Sequence, residues 1–254
     1  MEATEGTLAL LWNIIPLYWN IIPYMSRWVM IKKARSHRRE ESLSRERIIE
    51  ASIELLDSSG EGGLTFRALS ERLATGAGAI YWHIANKSDL LTAACDAIVA
   101  RTMEAHVVAA TPEATIRSLA LGMFDAIDEH PWVGSALMHA PGQLPGVRIL
   151  ECLGQQLCAL GVRAEKQWTT VSALLSYLLG VGGQNAANAQ FAQTRSLDRS
   201  DFLDGVATAW SQLDPEQYPF TRSVTAQLRT HDDRTDFLAG IDLILGGIAA
   251  PQHR

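Results

Sequence analysis

Leu73-Ala-Thr-Gly-Ala-Gly-Ala-Ile-Tyr-Trp-His-Ile-Ala-Asn-Lys-Ser-Asp-Leu-Leu91 holds the end of one apolar helix, a small-residue turn, a second short helix and the start of a third. Glycine has no Cβ to clash and reaches positive φ, so the turn Thr75-Gly76-Ala77-Gly78 is expected to let two short helices cross closely. In a helix-turn-helix the second of such a pair lies in the DNA major groove. The stretch therefore predicts a DNA binder.

The flanking residues complete a small helical head. Ser44 caps a first helix in which Ile48, Ile49, Ala51, Ser52, Leu55 and Leu56 recur at helical spacing, and Ser58-Ser59-Gly60 closes it before the loop Glu61-Gly62-Gly63. Thr65 caps a second helix over 66–73, a third is expected over 77–83, and Asn86 caps a fourth that carries Leu90, Leu91, Ala94, Ile98 and Val99.

Taken together, Arg47-Ile-Ile-Glu-Ala-Ser52, Gly63-Leu-Thr-Phe-Arg-Ala-Leu-Ser-Glu-Arg-Leu73 and Ala79-Ile-Tyr-Trp-His-Ile-Ala-Asn-Lys-Ser-Asp-Leu-Leu91 resemble the tetracycline-repressor (TetR) family of bacterial regulators, over residues 43–101. The resemblance implies a three-helix DNA-reading head (42–90) whose fourth helix leads into a helical body (91–254) that binds a ligand and dimerises. It also implies roles. Thr65 is a phosphate ligand at a helix start, where hydroxyl and helix N-terminus both favour an anion. Arg67 reaches a base edge, since a guanidinium can grip guanine bidentately. Tyr81 and His83 contact the DNA backbone, and Lys87 clamps a phosphate. Trp82, between them, either joins the contact or plugs the core of the head. The leading turn Gly76-Ala77-Gly78-Ala79 is bare of polar side chains. Readout is therefore expected from Arg67, Thr75, methyl contacts to thymine and DNA shape, with Ala77 and Gly78 of the bare turn against the DNA, which suits an A/T-rich operator.

Charge is divided accordingly. The chain of 254 residues carries a net charge of −6, but residues 25–89 balance to +2 and residues 90–254 to −6. The basic share sits with the head. The arm Lys32-Lys33-Ala34-Arg35-Ser36-His37-Arg38-Arg39 is expected to add phosphate or minor-groove contacts. Cys95, Cys152 and Cys158 form no CxxC and leave one thiol over in any pairing, which fits buried thiols in a reducing cytoplasm.

The first 41 residues read as an extension. Residues 8–31 are apolar apart from Asn13, Asn20, Ser26 and Arg27, yet Pro16 and Pro23 interrupt them and Glu2 and Glu5 precede them, which argues against a membrane span; the basic Lys32, Lys33 and Arg35 that follow leave an inside-facing anchor as the alternative. Within them Trp-Asn-Ile-Ile-Pro occurs at 12–16 and again at 19–23. One back-translation, TGG-AAT-ATT-ATT-CCA, is an inverted repeat about a central base. The copies start seven codons apart, or 21 base pairs, close to two turns of B-DNA at about 10–10.5 base pairs each. The expectation is a translated operator for two-fold symmetric dimers, with the natural start at Met25 or Met30.

Beyond residue 106 the pattern stays helical, with Pro and Gly as punctuation: 112–129, 132–139, a loop at Pro141-Gly142 and Pro145-Gly146, then 147–160, 164–192, 198–213, 216–229 and 233–248. No window alternates with strand period, so the fold class is all-α. Residues 116–132 and 179–188 resemble the body of one branch of the family, which implies a pocket among helices and a four-helix dimer interface. Segments 164–192 and 233–248 are the dimer candidates, with Gly180, Gly182, Gly183, Ala186 and Ala187 permitting close approach. The pocket candidates are Met123, Phe124, Trp132, Met138, Trp168 and Tyr177, oriented by the amides of Gln184, Asn185 and Asn188.

Catalysis has no support: GxSxG, HExxH, a Walker loop and metal-ligand spacing are all missing from the sequence. No cofactor is expected. The reading is a homodimeric, effector-responsive repressor on a palindromic, self-encoded operator. The rival is a ligand-independent architectural DNA binder of the same fold.

Overall fold

A computed structural model describes residues 43–105, 109–139 and 142–249 of the chain. The Trp-Asn-Ile-Ile-Pro repeat, the basic arm and the expected starts at Met25 and Met30 lie outside the described residues. Residues 45–254 cluster as one compact unit. Among the described residues every regular element is a helix, and none is long and apolar enough to cross a membrane.

The first three helices make the head. Helix α1 (Arg45–Gly63) buries Ile48, Ile49, Ile53 and Leu56. It was expected to close at Gly60, and Gly60 does break it with φ 63°, but one more turn follows to Gly63. Helix α2 (Phe66–Arg72) starts at Thr65, whose hydroxyl accepts the Ala68 N–H at 3.1 Å. Helix α3 (Ala77–Tyr81) is shorter than its expected span and ends on Trp82.

The turn between α2 and α3 departs from the glycine argument. Its left-handed residue is Ala74 (φ 49°), whereas Gly76 has an ordinary extended φ of −86°. A Cβ on Gly76 or Gly78 would meet nothing within 4 Å. Neither glycine is needed for helix crossing or for a special φ; both leave an outer face bare.

Helix α4 (Lys87–Ala105) is capped reciprocally: the Asn86 carbonyl oxygen accepts the Asp89 N–H at 2.9 Å, and the Asn86 amide donates to the Asp89 carboxylate at 3.0 Å. It packs on α1 and on the helices that follow, so it belongs to both ends of the fold.

Those later helices are α5 (Pro112–Glu129), α6 (Trp132–His139), α7 (Leu144–Ala159), α8 (Ala164–Thr194), α9 (Arg199–Ser211), α10 (Pro219–Ser223), α11 (Thr225–Arg229) and α12 (Asp233–Ala249). Pro145 and Gly146 were expected in a loop. They fall in the first turn of α7 instead, where the missing proline N–H costs no hydrogen bond. The segment expected over 216–229 splits at Val224 into α10 and α11. Helix α8 packs on α5, α6, α7 and α12, around a core that includes Ile116, Met123, Ile127, Leu153, Leu174 and Phe237.

Three of the five small residues expected at a dimer seam serve this core. A Cβ on Gly182 would come 3.0 Å from Ile127, and one on Gly134 of α6 would come 3.5 Å from the Gly183 backbone. Ala186 is buried, while Gly180 and Ala187 remain exposed.

Candidate nucleic-acid interface and effector cavity

The residues expected to meet DNA share the outer side of α2, α3 and the start of α4. Thr65, Arg67, Ala77, Gly78, Tyr81, Trp82, His83 and Lys87 are all exposed, and Thr75 is half-buried. Trp82 settles its own alternative. It is 90% exposed, so it plugs no core in this chain, and an indole left in water has no folding reason to be there. Tyr81 stacks on Phe66 with ring centroids 4.3 Å apart, which fixes α3 against α2 and leaves the phenol edge outward.

Two cations of this face are held in place. Arg67 pairs with Glu71 one turn along at 3.0 Å. Lys87 donates to the Glu61 carbonyl at the end of α1, at 2.5 Å, which holds its ammonium in place with protons left for another acceptor. Both sites are water-exposed, so neither contact costs much to trade for a phosphate.

A second feature joins the head to the body. One oxygen of Asp57 (α1) accepts both the His130 Nδ1–H and the Trp132 Nε1–H, each at 2.7 Å. A turn further along α1, the Glu61 carboxylate accepts the Ser135 hydroxyl at 2.9 Å. Charge-assisted bonds of this length are the stronger kind. Helix α6 is thus fastened to α1 through side chains more than seventy positions apart. No local periodicity signals such pairs, and none of Asp57, Glu61, His130 or Ser135 was among the sequence candidates.

The body holds a cavity of about 820 Å³ between α8, α9, α11 and α12. Of the sequence candidates, Tyr177, Gln184, Asn185 and Asn188 line it. The others do not. Met123 and Phe124 are buried core, and Phe124 backs the cavity only by stacking on its wall residue Phe237 at 4.7 Å. Trp132 spends its indole on Asp57. Met138 is exposed near Gly183, and Trp168 is 71% exposed on the outer face of α8. Aromatic and Met content marked apolar surface, but periodicity alone does not say whether that surface faces core, cavity or solvent. Phe202, Trp210, Asp128, Arg199, His231, Asp236 and Phe237 also line it, with Asp233 and aliphatic side chains of α8, α9 and α11 among them, and were not foreseen. They come from segments far apart in sequence.

The polar groups of the wall are unevenly occupied. Arg199 pairs with Asp233 at 2.9 Å and donates to the His231 carbonyl at 2.8 Å. His231 in turn pairs with Asp233 at 2.8 Å and with Asp236. The Tyr177 hydroxyl donates to the Phe237 carbonyl at 3.2 Å; burial, with Asp236 nearby, pushes its pKa up, so it stays a neutral phenol. The Asn185 amide nitrogen is buried without a hydrogen-bond partner.

Comparison with known proteins agrees with this geometry. Residues 48–94 match the bacterial regulatory proteins of the tetR family. The solved structure of the transcriptional regulator SCO7222, a TetR from Streptomyces coelicolor, is 53% identical, covering 82% of this chain and 98% of that one with a TM-score of 0.74. An HTH-type transcriptional regulator from Saccharopolyspora erythraea is 26% identical over 155 residues, 60% of this chain and 65% of that relative. The class D tetracycline repressor of Escherichia coli is 44% identical over 59 residues, 23% of this chain and 27% of the repressor. The chain thus spans less than two thirds of the length of these two curated relatives. With the SCO7222 likeness running over nearly the whole of that structure, and the matched segment coinciding with the bare-faced helix pair, the chain belongs to the TetR family of transcriptional regulators.

Proposed function

We propose that the protein is a homodimeric repressor with a DNA-reading head (residues 42–90) and an effector-binding body (91–254), working in the cytoplasm and released from a palindromic operator when an effector enters the cavity. The observation that carries the reading is the outer face of α3. Gly76 and Gly78 have no internal reason to be glycine, Trp82 has no internal reason to be an exposed aromatic, and Tyr81, His83 and Lys87 flank them. A backbone left bare beside hydrogen-bonding and cationic side chains suits close approach to a duplex. In this reading Thr65, Tyr81, His83 and Lys87 hold phosphates. Arg67, Thr75, and the approach over Ala77 and Gly78 select the sequence.

The α1–α6 fastening supplies the coupling. Asp128 and Gln184 face the cavity; His130 lies two residues past the first, and Gly183 abuts Gly134 of α6 beside the second. An effector that shifts α8 or the end of α5 moves α6. Asp57 and Glu61 then carry that shift to α1 and Lys87. Its power is limited to its differential affinity for the two states. For the dimer, α8 and α12 are the proposed seam, because Trp168 and Leu243 stand 71% and 79% exposed on them.

Autoregulation is tested with a duplex carrying two TGGAATATTATTCCA words 21 base pairs apart. The full chain is expected to bind it more tightly than a shuffled duplex of equal composition and to protect both words in a footprint. Equal affinity for the two duplexes removes the self-encoded operator. Sequencing the gene over codons 12–23 decides whether the words exist at all.

A further inference from the structure

We propose that the cavity takes a flat aromatic cation that also carries a carbonyl or ether acceptor, an assignment that rests on the effector-release reading above. Four observations on the wall converge on this class. At about 820 Å³ the cavity is of a size for a drug-sized ligand rather than a metabolite fragment. Phe237 (α12) is buried between Phe124 and Tyr177, so the ring surface left to the cavity is that of Tyr177 (α8) and of Phe202 and Trp210 (α9), with aliphatic side chains between them. Three aromatic rings from two helices favour a planar ring system over a chain-like one.

Charge then selects the sign. The lining carries three carboxylates, Asp128, Asp233 and Asp236, against one guanidinium, Arg199. Arg199 is spent on Asp233 and on the His231 carbonyl, and His231 on Asp233 and Asp236. Neither basic group is left to receive an anion. Asp128, at the rim, pairs with no cation among the described residues. An anionic ligand would enter a field of its own sign; a cation would meet Asp128 and aromatic faces, both of which attract it.

The acceptor follows from Asn185. Its buried amide nitrogen has no partner, a state that native structures seldom leave standing. The Tyr177 hydroxyl is committed to the Phe237 carbonyl, whereas the buried Asn185 amide is a donor open to a ligand oxygen, beside the more exposed amides of Gln184 and Asn188.

The test uses two dyes with one ring system and opposite charge, the cationic xanthene ester rhodamine 6G and the anionic xanthene fluorescein. Each is titrated by fluorescence anisotropy against the full chain, with duplex-DNA binding measured in parallel. Rhodamine 6G is expected to bind saturably and fluorescein at least tenfold more weakly. Asp128→Asn should weaken rhodamine 6G about fivefold, the scale of an exposed ion pair. Asn185→Leu should weaken it as well, with folding of both variants checked by circular dichroism. Fluorescein binding as well as rhodamine 6G, or Asp128→Asn binding the cation unchanged, overturns the assigned class. If neither dye binds while duplex DNA does, the class is wrong and the regulator reading stands. A wild-type chain that binds no DNA strikes that reading instead.

Discussion

Gly78 is a residue at which folding and the proposed DNA contact can be told apart. A Cβ there meets open space, and alanine loses less backbone freedom on folding than glycine. Gly78→Ala should therefore keep or raise the melting temperature while weakening operator binding, because the added methyl stands where the duplex backbone approaches. Thermal unfolding beside a gel-shift titration checks both halves; unchanged DNA affinity would place the contact elsewhere. The cysteines give a second residue-scale expectation. Burial, with Asp96 nearby, pushes the Cys95 thiol up to about 12 from 9.0, whereas Cys158 is exposed. Iodoacetamide at neutral pH should label Cys158 and spare Cys95 in the folded protein, read by peptide mass spectrometry. Because the folded value is the higher one, Cys95 favours the native state fully below pH 9, and that contribution is lost as pH rises towards about 12. Cys95→Ala should flatten this alkaline limb of a stability-versus-pH curve.

Among elements, the junction of α1 with α6 decides how the two ends of the chain communicate. Asp57→Ala removes the shared acceptor of His130 and Trp132 and leaves two donors without it, a loss on the order of 1–3 kcal/mol. Amide exchange should then quicken at the end of α1 and in α6, while α2 and α3 keep their protection. Exchange left as slow as in the wild type would mean that α6 is held by packing alone. This junction also marks the limit of the sequence. Helices α1 to α4 were legible because their signals are local: Thr65 and Asn86 cap as expected, and Ile48, Leu56, Leu90 and Ile98 fall on the buried side. The amides Gln184, Asn185 and Asn188 were legible as cavity residues because polar groups on an apolar helix need a use. Asp57, His130 and Ser135 carried no such local mark. Trp132 and Trp168 misled for a related reason, since an aromatic at helical spacing looks the same whether it faces a carboxylate, solvent or a ligand.

At the scale of the molecule, the account requires two heads to be held at a fixed spacing, and so a dimer seam on α8 and α12. Trp168 and Leu243 are large apolar side chains left in water on those helices. Replacing both with Asp should convert the dimer to monomer in sedimentation velocity and lower operator affinity, with helix content preserved in circular dichroism. A variant that sediments like the wild type moves the seam elsewhere.

A grip of the face around α3 and Lys87 on the DNA backbone would be read in the salt dependence of binding. Affinity of the full chain for a duplex from its own gene's upstream region is measured across a range of salt, for wild type and for Lys87→Ala combined with Tyr81→Phe. Weaker binding of specific and unrelated duplexes alike is expected, with the slope of log affinity against log salt reduced by about 1 for the lost phosphate contact. A double variant with wild-type affinity and an unchanged slope would contradict it.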